Sequence, residues 1–287
     1  MAKNLKWALT IFSIGVFMAA LDNGIVTASL TTLNKSFQVP PNWGAWIITI
    51  YTLGLAISVP IVGKLSDRFG RKRLFLIEVT LFGLGSFLVS LSPYFSFLLI
   101  ARFIQSMGGG GIFILASSYI LKVYPRENQG RALGMLGGMN GIAAVLGPNI
   151  GSFILQTTGS WHWLFLINLP IAVLLFIFGF MYIKEEQELI QAKLDWLGIL
   201  LLSTGILSFM YSLTNLEGIN ILNSIMRPSF YLFMLIGIIL LILLFNVERN
   251  RSQKGIDPIL PVSLFKFITY RWTLLLAVFS GAILASV

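Results

Sequence analysis

The chain has 287 residues, 56% of them hydrophobic and only 11% charged, with a formal net charge of +9. A soluble domain is about 25% charged, so this composition excludes a soluble fold and predicts an all-α polytopic membrane protein. The absence of cysteine excludes disulfides and thiolate metal sites. The pI near 9.9 would suit a nucleic-acid partner, but the positions of the cations decide against one.

A hydrocarbon core of about 30 Å needs roughly 20 apolar residues of helix. Taken in order, such runs lie at Trp7–Leu30, Gly44–Val62, Leu74–Leu91, Phe95–Leu121, Arg131–Leu155, His162–Ile183, Trp196–Thr214 and Phe230–Val247. A ninth begins near Arg271. The first run is too long for a signal peptide, contains Asp22 and leads straight into further spans, so it reads as an uncleaved helix. The ninth run stops at Val287 with no polar tail, which predicts an N-terminal fragment whose C-terminal half lies elsewhere. The charged stretch 184–195 is the expected domain boundary. It separates a six-helix bundle (1–183) from two additional spans (196–247), a loop (248–270) and the start of a second bundle (271–287).

With the N-terminus placed in the cytoplasm, all but three of the 20 lysines and arginines fall on the cytoplasmic side. Lys35 and Arg227 lie outside and Arg102 lies within a span. So lopsided a distribution fixes the orientation and assigns the basic pI to topology and inner-leaflet contact.

Asp22 lies eight residues from the outer end of its span, a depth of roughly 12 Å. Arg102 lies seven residues into the fourth span from the same side, roughly 10 Å. An acid and a base at matching depth can pair, and each alone is costly in hydrocarbon, so both face the bundle interior. They form either a static ion pair that fixes packing or a proton site whose protonation follows the movement of its partner. Asn23 and Gln105 sit beside them and are candidates to line the path. Glu78 is expected to pair with Arg73 or Arg131, with a second proton site as the alternative. Glycines four apart in the fifth span (Gly134/Gly138, Gly137/Gly141, Gly147/Gly151) predict a face for close helix approach, and Pro148 a bend. His162, between two tryptophans at the outer interface, reads as structural. Gly108–Gly111 lacks a following Lys-Ser/Thr and lies in mid-span, which argues against a nucleotide loop. An ion gradient is therefore the expected energy source, with no cofactor and no metal.

The loop Gly63-Lys-Leu-Ser-Asp-Arg-Phe-Gly-Arg-Lys-Arg73 carries five cations in eleven residues. Its order resembles the loop between helices 2 and 3 of the major facilitator superfamily. That resemblance implies a gating network of Gly63, Asp67, Arg68, Gly70, Arg71 and Lys72, on which Arg131 would dock. Leu21-Asp22 with Ile25-Val26, and Arg102 with Gln105 and Gly108, resemble the helix-1 and helix-4 signatures of drug:proton antiporters. Gly147-Pro148-Asn-Ile-Gly151 resembles the helix-5 motif of exporters, with Ala143 and Ser152 where glycines are usual. Two extra spans before the second half resemble the fourteen-helix antiporters of the EmrB/QacA type.

The resemblance implies a proton-coupled drug exporter of a bacterial cytoplasmic membrane, not an enzyme. Its partners would be small-molecule substrates, protons, the lipid bilayer and, in some systems, an adaptor protein. A single-metabolite exporter and a non-transporting membrane subunit remain alternatives. A membrane enzyme fits least, because one histidine and no cysteine leave little catalytic equipment.

Overall fold

The computed structural model describes residues 2–185, 195–216, 221–253 and 262–286. The charged residues 186–194 and most of the Asp257–Phe265 stretch lie outside the described residues. Two compact units divide the chain, Met1–Gln191 and Ala192–Val287. The division falls inside the stretch read as a boundary.

The first unit contains six long helices: α1 (Ala2–Ser36), α2 (Trp46–Phe69), α3 (Arg71–Ser90), α4 (Phe95–Val123), α5 (Arg126–Thr158) and α6 (Asn168–Tyr182). Short helices Pro41–Gly44 and His162–Leu166 precede α2 and α6. The sixth apolar run is thus divided near Ile167. Pro170 accounts for this, since it has no N–H to bond the carbonyl of Leu166. Among the described residues, eight runs are long and apolar enough to cross a bilayer, and they overlap the eight complete spans read from the sequence.

Helix α1 packs chiefly on α5, while α2 and α3 both pack on α4. Two buried clusters result. One lies around Phe12, Phe75, Phe82 and Ile112; the other, around Ile25, Leu98 and Phe165, is nearer the opposite end of the bundle. Apolar residues such as Val145, Phe153 and Phe180 stay exposed, as a lipid-facing surface requires.

Only one residue separates α2 from α3. Gly70 takes φ 89° and ψ 149°, a region essentially confined to glycine, and a methyl group there would overlap the Glu185 carboxylate. Gly70→Ala is therefore expected to destabilise the unit by about 1–3 kcal/mol, read as a lower unfolding temperature of the purified protein. An unchanged transition would refute the strained-turn account.

The second unit pairs α7 (Trp196–Thr214) with α8 (Pro228–Gln253) and holds α9 (Ile268–Ser286). Asp195 caps α7 by accepting the Gly198 N–H at 2.8 Å, the ordinary role of aspartate at a helix start, and also pairs with Arg251. Helix α9 begins three residues before Arg271, where the sequence reading placed the start of that span.

Candidate functional site

Asp22 is fully buried and accepts three hydrogen bonds from two helices. Arg102 Nη1 on α4 donates to Oδ2 at 2.6 Å. Gln105 Nε2, one helical turn further along α4, donates to Oδ1 at 2.8 Å. Asn168 Nδ2 at the start of α6 donates to the same oxygen, also at 2.8 Å. The arginine and glutamine are three apart and so share one face of α4; Arg102 Nη1 also donates to Gln105 Oε1 at 2.7 Å. Ser86 Oγ on α3 accepts from Gln105 at 2.7 Å and from Asn168 at 3.3 Å. Three helices, α1, α4 and α6, meet at a single carboxylate, and α3 joins them through Ser86.

The guanidinium of Arg102 lies 4.1 Å from the ring centre of Tyr51 on α2 and 5.6 Å from that of Phe165. Stacking on an aromatic face is the arrangement by which a desolvated arginine is favoured. Tyr51 is held in place by its hydroxyl, which donates to the Ala19 carbonyl at 3.4 Å. Arg102 Nε and Nη2 are buried and have no hydrogen-bond partner among the described residues. Half of this guanidinium is therefore bonded and half is not, a costly state for a buried charge.

The sequence reading named Asp22, Arg102 and Gln105, and the structure brings these three together. Asn23 is outside the network: its Oδ1 has no partner among the described residues. The reading missed Asn168, Ser86 and Tyr51. Asn168 left a signal, being a lone amide in the apolar run Trp163–Leu175. Ser86 left none, since a serine in a span most often bonds its own helix.

At the α2–α3 turn, Arg71 Nη2 lies 3.3 Å from Asp67 Oδ1, one helical turn earlier. Its Nε donates to Ser118 Oγ on α4 at 2.5 Å. Arg73 lies 3.7 Å from Glu185; Lys72 lies over the Phe180 ring and Arg68 over Phe69. Gly63 faces open space apart from Ile114.

Two expectations are corrected. Arg131 is exposed and does not reach Asp67, because Arg71 already occupies that carboxylate. Glu78 pairs with neither Arg73 nor Arg131: Arg73 turns to Glu185, and Glu78 Oε2 accepts the Gly111 N–H at 2.9 Å. Among the described residues, nothing lies within 4 Å of where a side chain would begin at Gly134, Gly137, Gly138 or Gly141. Among the described residues, the close approach on α5 is at Gly147 and Gly151, which meet Gly24 and Ile25 of α1. Pro148 joins that contact, and α5 runs unbroken through it.

His162 stacks on Trp161 at 3.9 Å, and its Nδ1 lies 2.8 Å from Ser160 Oγ. Neither contact involves the Asp22 network.

A six-helix unit of spanning length, tied by a buried acid–base pair, has the build of a multi-pass membrane protein. The model of the Major Facilitator Superfamily matches residues 12–287. The chain belongs to that superfamily. It is 59% identical over 285 residues to the uncharacterized MFS-type transporter YfiU of Bacillus subtilis (strain 168), covering 99% of this chain and 55% of that protein. It is 34% identical over 253 residues to multidrug resistance protein 3 of the same strain, covering 88% and 48%. The chain thus spans about half the length of the curated relatives it matches. Among solved structures, the proton:xylose symporter XylE bound to 6-bromo-6-deoxy-D-glucose superposes with a TM-score of 0.59 at 16% identity, covering 89% of this chain and 57% of that one. That likeness shows the fold.

Proposed function

We propose that this chain carries the proton-coupling half of an exporter for cationic or amphipathic compounds, working across the bacterial cytoplasmic membrane with its N-terminus inside. The observation that carries the reading is the Asp22 network. It is a fully buried carboxylate whose three donors come from α4 and α6 and whose cation is only half bonded. The 34% identity to a protein named for multidrug resistance supports the substrate class, and the distribution of cations supports the orientation.

In this mechanism ionised Asp22 holds α4 and α6 to α1. A proton arriving at either carboxylate oxygen converts an acceptor into a donor and opposes the N–H that pointed there. Arg102 then loses its counter-charge and Tyr51 retains its stacking, so the arginine can leave the acid without leaving its aromatic support. A cationic substrate competes for the same carboxylate, and proton and substrate exchange through one site. Asp67, Arg71 and Ser118 latch the cytoplasmic end between α2 and α4 while the two halves of the whole transporter rock about the site. Gln105 and Asn168 position the carboxylate; neither is charged.

The test is dye transport by the intact protein in proteoliposomes under an imposed pH gradient, with wild type and Asp22→Asn compared. Gradient-driven movement of several unrelated cationic dyes supports the reading. Movement of one metabolite class alone supports the single-metabolite exporter, and gradient-driven transport that survives in Asp22→Asn removes Asp22 from the mechanism.

A further inference from the structure

The Asp22 network does not use the second buried acid of the first unit. Glu78 on α3 is 4% exposed. Its one hydrogen bond is to the backbone N–H of Gly111 on α4, and it makes no ion pair among the described residues. The elements packed on α3 carry Tyr51, Lys64, Asp67 and Arg68 on α2, Arg102, Tyr119 and Lys122 on α4, His162 on the short helix before α6 and Tyr182 on α6. None of them bonds to Glu78. One neutral donor does little to offset the cost of holding a charge in hydrocarbon.

The place where it attaches is unusual. Gly111 N–H and the Met107 carbonyl are the two ends of a single rung of the α4 ladder, four residues apart. Glu78 engages the N–H, and Ser58 on α2 donates its hydroxyl to the Met107 carbonyl at 2.7 Å. The run Gly108–Gly111 makes this contact achievable. A side chain at Gly111 would lie 2.5 Å from Glu78 Oε2, and one at Gly110 2.8 Å from Ser58 Cβ. The four glycines, which carry no nucleotide signature, strip the α4 backbone so that α2 and α3 can reach its amide groups.

We propose that Glu78 is a second proton-binding site, lying between the Asp22 network and the α2–α3 turn. It rests on the proton-coupled reading given above. Loading and unloading this carboxyl changes the strength of its bond to the Gly111 amide, because an ionised acceptor binds an N–H more strongly than a neutral one. The two sites share α3 and α4. Ser86, which touches both Gln105 and Asn168, is eight residues from Glu78, about 12 Å along α3. A proton leaving Asp22 toward the turn meets Glu78 before it meets Asp67.

Difference infrared spectroscopy of the intact protein in bilayers, as pH is raised from about 5 to 9, tests this directly. The expected result is a protonated-carboxyl band that fades with pH in the wild type, is lost in Glu78→Gln and persists in Asp22→Asn. Glutamine retains an acceptor for the Gly111 amide, which favours folding. Glu78→Asp, which keeps the acid, should shift the band rather than remove it, so the assignment does not depend on one variant. A wild type with no band sensitive to either Glu78 substitution, or one whose band is unchanged across that pH range, overturns the proposal. The spectrum is read without transport. Asp22→Asn transport can therefore fail its expectation while the Glu78 band behaves as proposed, and the reverse.

Discussion

Asp22→Asn is expected to abolish gradient-driven export in the intact protein, and its effect on folding is expected to be separable from that loss. Asparagine cannot ionise, so the exchange of one proton for one cationic substrate at this position ends. The same change strands Arg102, which is fully buried and already has two unpartnered nitrogens. Breaking a buried pair on one side costs about 3–5 kcal/mol, so the single variant should accumulate less folded protein. The double variant Asp22→Asn/Arg102→Gln removes both charges and is expected to restore folded yield, because replacing a whole buried pair is far less costly than breaking it. It should still fail to transport. Recovery of both yield and gradient-driven efflux in the double variant would show the pair to be a packing device only.

That contrast follows from what could and could not be read in the chain. Depth along a span is a matter of counting residues, so the meeting of Asp22 and Arg102 is legible, and Gln105 comes with Arg102 through the resemblance to the helix-4 signature. The remaining members of the network come from α3, α6 and α2. Their arrival depends on how helices rotate about their axes, and spans that are apolar all round carry little periodic signal to fix that rotation. The same uncertainty bears on the glycines. A spacing of four marks a face but does not say what the face meets. Among the described residues the long α5 series Gly134–Gly141 meets nothing, while the compact α4 run Gly108–Gly111, which in sequence resembles only an incomplete nucleotide loop, is closely packed. Glu78 reads in sequence as the partner of an arginine, because opposite charges at the cytoplasmic end of the spans attract. It instead reaches a backbone amide that only glycine leaves accessible.

The α4 glycines carry the other large expected effect. Gly108→Val should prevent the first unit from assembling correctly. A Cβ there overlaps the Phe82 backbone nitrogen and lies 2.6 Å from the Glu78 carbonyl oxygen. Backbone atoms cannot rotate away as a side chain can, so α3 and α4 must separate. From the α3 side, a Cβ at Gly85 would lie 2.5 Å from the Gln105 nitrogen, so one interface closes on two glycines offset along it. Overpacking a close-fitted core costs about 1–3 kcal/mol. Here the displacement also pulls Gln105 from Ser86 and Gly111 from Glu78, so the upper end of that range is expected. Gly137→Val is the matched control, since among the described residues nothing lies within 4 Å of that position. Its effect on the stability of this chain should stay within about 0.5 kcal/mol. Size-exclusion profiles and thermal unfolding of the two purified variants decide the matter. Gly108→Val is expected to aggregate or unfold early, with Gly137→Val close to wild type. The reverse order would mean that α5, not α4, carries the close helix contacts of this unit.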